Sequence, residues 1–140
     1  DAAATFDITA FGAVAGNGSI AAARANGYAL WAAIQAAHNA ANKTPSAPGV
    51  AVVPNTTEPF TFVPYAPVVG VDNVVVLLDG TLSCFDADLD LWPNDGTRVL
   101  NVLDIRASSN VTVMGAGTIA GNGEPWWLDV VEHGERRFRR

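Results

Sequence analysis

Two stretches of this chain repeat one another, and the repeat constrains the fold more than any other feature. Asn73-Val74-Val75-Val76 leads to Gly80-Thr81-Leu82, and Asn110-Val111-Thr112-Val113 leads to Gly117-Thr118-Ile119. The asparagine, both outer valines, the glycine and the threonine recur at an offset of 37, and Leu82 and Ile119 match as aliphatics. Similarity at a fixed offset marks stacked units, each laying its strand beside the equivalent strand of the next. The competing reading is chance similarity between two valine-rich strands.

The rest of the chain after Gly49 fits stacking. Val50-Ala51-Val52-Val53, Phe60-Thr61-Phe62-Val63, Val74–Leu78, Val99–Leu103 and Val111-Thr112-Val113 read as short strands. Near-continuous Val and Leu suit parallel strands buried in a sheet. Pro54, Pro59, Pro64, Pro67 and Pro93 fall between these runs, where no ladder hydrogen bond is lost. The spacing from Val52 to Val76 is shorter than the repeat, and residues 85–98 read as the inserted loop that lengthens it. Trp31, Ile34, Val52, Val76, Leu78, Val102, Ile105, Val113 and Ile119 are the expected core.

Upstream, Phe6-Asp7-Ile8-Thr9 and Phe11-Gly12-Ala13 read as a strand and turn, followed by the loop Val14–Gly18. Residues 28–41 carry Tyr28, Trp31, Ile34 and Ala37–Ala41 on one face at helical spacing, in a stretch rich in alanine. A helix so apolar, placed before the strands, suits a cap over the first unit of a stack. It is equally an ordinary packed helix, and structural in both readings.

Composition limits the function classes. Apolar residues make up 49% and charged ones 16%, which excludes a disordered chain. No apolar run approaches the ~18 residues of a membrane span. The net charge is −6, although the last eight residues hold four arginines against one glutamate, so the body is more acidic still. Such a surface argues against nucleic acid as a partner. The chain begins at Asp1 with no leader, which reads as a processed mature product. Sequons at Asn17, Asn42, Asn55 and Asn110 are the glycosylation candidates and point to secretion, to the cell wall or cell surface. Cys84 is the one cysteine and reads as a small buried thiol, the alternative being a partner outside these residues.

Asn110–Ala116 runs on into Gly117-Thr118-Ile119-Ala120-Gly121-Asn122-Gly123-Glu124-Pro125-Trp126-Trp127. This segment closely resembles a motif of polygalacturonase-type glycoside hydrolases, which are right-handed parallel β-helix enzymes that cut pectin. The opening, with Phe11-Gly12-Ala13, is similar more loosely, and the acidic residues common in the next loop of the family are missing here. The commonest family form has aspartate where this chain has Ala120. The resemblance implies a mainly β fold, a right-handed parallel β-helix with an N-terminal capping helix. It also implies a single partial domain, 1–140, whose motif block lies upstream of the catalytic residues.

The family's catalytic motifs, Asn-Thr-Asp, Asp-Asp, Gly-His-Gly and Arg-Ile-Lys, are absent: Asn55-Thr56-Thr57 is only a sequon and Glu132-His133-Gly134 is not Gly-His-Gly. No catalytic residue and no cofactor is therefore assigned. Four other features invite chemistry. Asp86, Asp88 and Asp90 alternate with apolar residues and could gather calcium ligands, but alternation equally describes a half-exposed strand or loop. His38 has no ligand at metal spacing. Glu124 precedes Trp126 and Trp127, which either stack on sugar or pack a loop. The tail 133–140 reads as a connector to further strands, with Arg137 and Arg140 as processing candidates or contacts to an acidic polymer.

Three functions fit: the N-terminal portion of a secreted pectin hydrolase, a non-catalytic β-helix scaffold, and a calcium-dependent pectate-lyase relative. In all of them the last strands present an open edge. Later residues of the same precursor, or another subunit, are expected to cover it.

Overall fold

The computed structural model describes residues 4–43, 47–86, 91–93 and 103–120, with the side chains of Asn42 and Lys43 left aside. Strand β1 (Ala4–Asp7) runs into a 3-10 turn at Ile8–Phe11, and one α-helix, α1, spans Ile20–Lys43. Eight strands follow: β2 (Gly49–Val53), β3 (Phe60–Phe62), β4 (Val68–Val69), β5 (Asp72–Leu78), β6 (Thr81–Cys84), β7 (Ile105–Arg106), β8 (Ser109–Met114) and β9 (Thr118–Ala120).

These strands make three sheets, ordered β1-β2-β5-β8, β3-β6-β9 and β4-β7, and every pairing is parallel. After α1 the chain visits the sheets in rotation, as β2-β3-β4, then β5-β6-β7, then β8 and β9. The fold is thus mixed α/β, with parallel sheets that do not close into a barrel. The register expected from the sequence repeat holds in all three sheets. Val74 stands beside Val111, Val76 beside Val113, Leu82 beside Ile119 and Val68 beside Ile105. Gly49 stands opposite Val74, a shorter step. Most of the difference lies in one connection, 63–67 in the first round and 85–104 in the second, partly offset by a longer β2–β3 connection, 54–59, against 79–80. Of the proposed insertion, Phe85 and Trp92 are described, and both are buried under the helix's first turns beside Ala23 and Val63.

The repeated Gly-Thr has a steric cause. A Cβ on Gly117 would run into the Gly80 carbonyl, and one on Gly80 would run into that of Pro54, so the backbones stack too closely for a side chain. The amides continue the stack, Gly80 N–H donating to Val53 O at 3.0 Å and Thr118 N–H to Gly80 O at 3.0 Å.

Several expectations need correction. The helix begins at residue 20, not 28. Ser19 caps it, its Oγ accepting from Ala22 N–H at 3.1 Å, and Asn17 in turn accepts from Ser19 N–H at 3.0 Å. Asn26 and Gly27, upstream of the expected start, are helical and buried for tertiary reasons. Gly27 lets α1 approach the Val63 carbonyl, where any Cβ would collide. Asn26, fully buried, accepts from Val14 N–H at 2.8 Å and donates to Val14 O at 3.1 Å and Thr61 O at 2.6 Å.

The core holds Ile8, Leu30, Ile34, Val53, Phe60, Phe62, Val74, Val76, Leu78 and Leu82. Of the expected core, Ile34, Val76 and Leu78 are buried, Trp31 and Ile105 are half-buried, and Val102 lies outside the described residues. Val52 is also only half-buried, because β2 alternates and turns Ala51 and Val53 inward instead. Val113 and Ile119 are exposed, at 46% and 39%. Their equivalents Val76 and Leu82 are at 3%. Position along the stack, not side-chain type, makes the difference: among the described residues nothing lies beyond β8 and β9. The strand read at 99–103 falls mostly outside the described residues, and Leu103 itself is not in a strand. Instead β4 and β7, two residues each, form the third sheet.

Candidate functional site

Two groups of side chains stand out, and they differ in what they leave unpaired. The first lies where the third sheet turns back into the first. Asn73 and Asn110, one above the other, both adopt the left-handed backbone region, at φ 59° and 54°. Asparagine enters that region more easily than other residues with a Cβ. Asn110 Nδ2 donates to Asn73 Oδ1 at 2.8 Å, and Ser109 Oγ donates to Asp72 Oδ1 at 2.7 Å. The Asp72 N–H donates to His38 Nδ1 at 3.0 Å, so the imidazole ties the helix to β5 through an unprotonated nitrogen. Arg106 grips Asp104 through two bonds, Nε at 2.9 Å and Nη2 at 2.7 Å. Every carboxylate in this group already has a partner within the chain.

The second group is aromatic. Tyr28 and Trp31 stand one helical turn apart on α1, and Tyr65 approaches them from the β3–β4 connection. Ring centroids lie 5.1 Å apart for Tyr28–Tyr65, 5.2 Å for Trp31–Tyr65 and 6.2 Å for Tyr28–Trp31. Tyr28 and Tyr65 meet edge to face at 84°, a favoured arrangement of ring quadrupoles. Tyr28 is 45% exposed and Tyr65 52%. Trp31 is half-buried, and its Nε1 is a buried donor with no hydrogen-bond partner. Trp31, Tyr65, Pro64, Leu103 and Asp104 line a small pocket with a cavity of about 20 Å³. Sequence reasoning took Tyr28 and Trp31 as one face of a helix and missed Tyr65. Only the fold brings it within reach.

The residues singled out in the sequence are scattered. Asn17 and Asn55 are exposed, Asn110 is committed to Asn73, and the side chain of Asn42 is not described. Asp86 is exposed, while Asp88 and Asp90 fall outside the described residues. Among the described residues no three His, Cys, Asp or Glu side chains converge as metal ligands. Cys84 is buried beside Val63 and Trp92. Glu124, Trp126, Trp127, Arg137 and Arg140 lie outside the described residues. No described helix is long and apolar enough to cross a membrane. Comparison with family models, with curated proteins and with solved structures found no match in any of the three.

Proposed function

We propose that residues 1–140 are the N-terminal portion of a secreted pectin-cleaving glycoside hydrolase of the polygalacturonase type, built as a right-handed parallel β-helix with α1 as its cap. The observation that carries this reading is the register. The 37-residue repeat stacks strand on strand in all three parallel sheets, and it runs directly into the Gly-Thr-Ile-Ala-Gly-Asn-Gly-Glu-Pro-Trp-Trp block. Right-handedness follows from the strong bias of parallel β crossovers. Buried contacts of α1 with β1, β2, β3 and β5 support the capping role. The exposed sequons at Asn17 and Asn55 support an extracellular or cell-wall location.

In this reading the described residues supply scaffold. Inverting hydrolysis needs two carboxyl groups held ~6.5–9.5 Å apart with water between them, and those groups belong to sequence beyond Arg140. Val113, Met114 and Ile119, exposed at the open edge, are covered by later residues of the same precursor or by another subunit. A non-catalytic scaffold of the same architecture is the second reading. It is favoured by the pairing of Asp72 with Ser109 and of Asp104 with Arg106.

The test is an assay of the 140-residue chain and of its full precursor on polygalacturonic acid. The isolated chain releases no reducing sugar above blank, and the precursor releases product of inverted anomeric configuration, read by NMR. An inactive precursor lacking the four catalytic motifs would leave the scaffold reading standing in its place.

A further inference from the structure

We propose that the corner formed by Tyr28, Trp31 and Tyr65 is a non-catalytic binding site for a neutral hexopyranose, which it selects through the sugar's exocyclic hydroxymethyl group. Three observations converge. The first is exposure: two tyrosines at 45% and 52%, brought together from separate segments, leave ring surface open to solvent at a right-angled corner. A pyranose has one face of C–H bonds, whose positive edge complements the negative face of an aromatic ring.

The second is the orphaned indole. A buried N–H without a partner carries the full cost of its desolvation, so a native structure that keeps one calls for an explanation. Trp31 Nε1 is such a donor, and its ring lines a cavity of about 20 Å³, room for one oxygen-sized group. The third is Asp104 on the wall of the same pocket, an acceptor whose charge is balanced by the fork of Arg106.

A mostly apolar pocket with one unpaired donor and one acceptor asks for a group that accepts and donates at once. A hydroxyl does both: its oxygen accepts a hydrogen bond from the indole N–H, and its O–H donates one to the carboxylate. Water can hold this place in the free protein. A sugar hydroxymethyl displaces it while the ring rests on the tyrosines. A uronate in the same position accepts from the indole but has no proton for Asp104, and it sets two carboxylates side by side. A pentopyranose has the ring and lacks the reaching group. The site therefore discriminates by one functional group, independently of whether the protein cleaves pectin.

The test titrates the 140-residue chain, followed by NMR, with galacto-, gluco- and manno-tetraoses, with xylotetraose (no hydroxymethyl group) and with tetragalacturonate. At least one neutral hexose tetramer binds with a sub-millimolar Kd, and xylotetraose and tetragalacturonate bind at least about tenfold more weakly. Trp31→Phe keeps a ring and removes the donor, so the hexose Kd rises about tenfold to the xylotetraose value. Tyr65→Ala, at an exposed position, keeps the fold and weakens all neutral ligands together. Absence of hexose binding, equal binding of xylotetraose, or an unchanged hexose Kd in Trp31→Phe or Tyr65→Ala overturns the proposal.

Discussion

Asn26 holds three parts of the molecule at one point, so its removal gives a sharp test of how the fold is tied. The residue is fully buried within α1, and its amide satisfies Val14 N–H, Val14 O and Thr61 O. In Asn26→Ala all three lose their partner. Val14 is 52% exposed, so water recovers part of its loss, whereas Thr61 lies in β3, the edge strand of its sheet, whose outer side α1 covers. Charging a full penalty to Thr61 O and a partial one to Val14 gives about 3 kcal/mol, less about 0.6 kcal/mol because alanine is the better helix former. The net is about 2–3 kcal/mol, a factor of roughly 30–150 in the folding equilibrium. For a chain of this size the melting temperature falls by roughly 6–15 °C. Urea unfolding and calorimetry both read it. Asn26→Asp keeps the shape and the acceptor but loses both donations, and sets a carboxylate against two carbonyls. It is at least as damaging as the alanine variant. If either variant melts within about 2 °C of the parent, the view of Asn26 as the clamp between helix, loop and sheet is wrong.

The other predictions concern steric fit, backbone strain and position in the stack. Gly27→Ala raises helix propensity by about 1 kcal/mol, yet it is expected to lower the melting temperature because the new methyl meets the Val63 carbonyl; a rise would refute the close approach. Ala107 sits at φ 50° where its repeat equivalent, Gly70, sits at φ 73°. Ala107→Gly should therefore stabilise by about 0.5 kcal/mol, the relief of strain exceeding the entropic cost, seen as a small upward shift in the urea midpoint. Val76→Ala is expected to cost about 2 kcal/mol and Val113→Ala less than half as much in the 140-residue chain. Their exposures of 3% and 46% set that ratio, and equal losses would show the open edge to be covered after all.

How much of this was legible in the sequence follows from the range of the signals. The repeat carried the strands, their parallel pairing and their register, because stacking places chemically equivalent residues side by side and so writes itself as periodicity. Asn73 and Asn110, Gly80 and Gly117, Thr81 and Thr118 were visible for that reason. Strands β4 and β7 were not, since two residues each have no period to detect. The helix start was missed because the apolar periodicity read from the sequence begins at Tyr28, and the contacts that hold Asn26 and Gly27 in the helix come from Val63, Thr61 and Val14, distant in sequence.

The candidate site divides along the same line. Sequence by itself determined that the chain after Gly49 is built from parallel strands in stacked register, because backbone hydrogen bonding and side-chain alternation are local rules that leave their mark residue by residue. The tertiary structure alone decided which of two identical valines is core and which is edge, since burial depends on what stacks beyond a strand and not on the strand. It alone brought Tyr65 to Tyr28 and Trp31, and left the indole N–H of Trp31 buried without a partner. Those are relations between segments with no common period, and only the packing of α1 against the β3–β4 connection creates them.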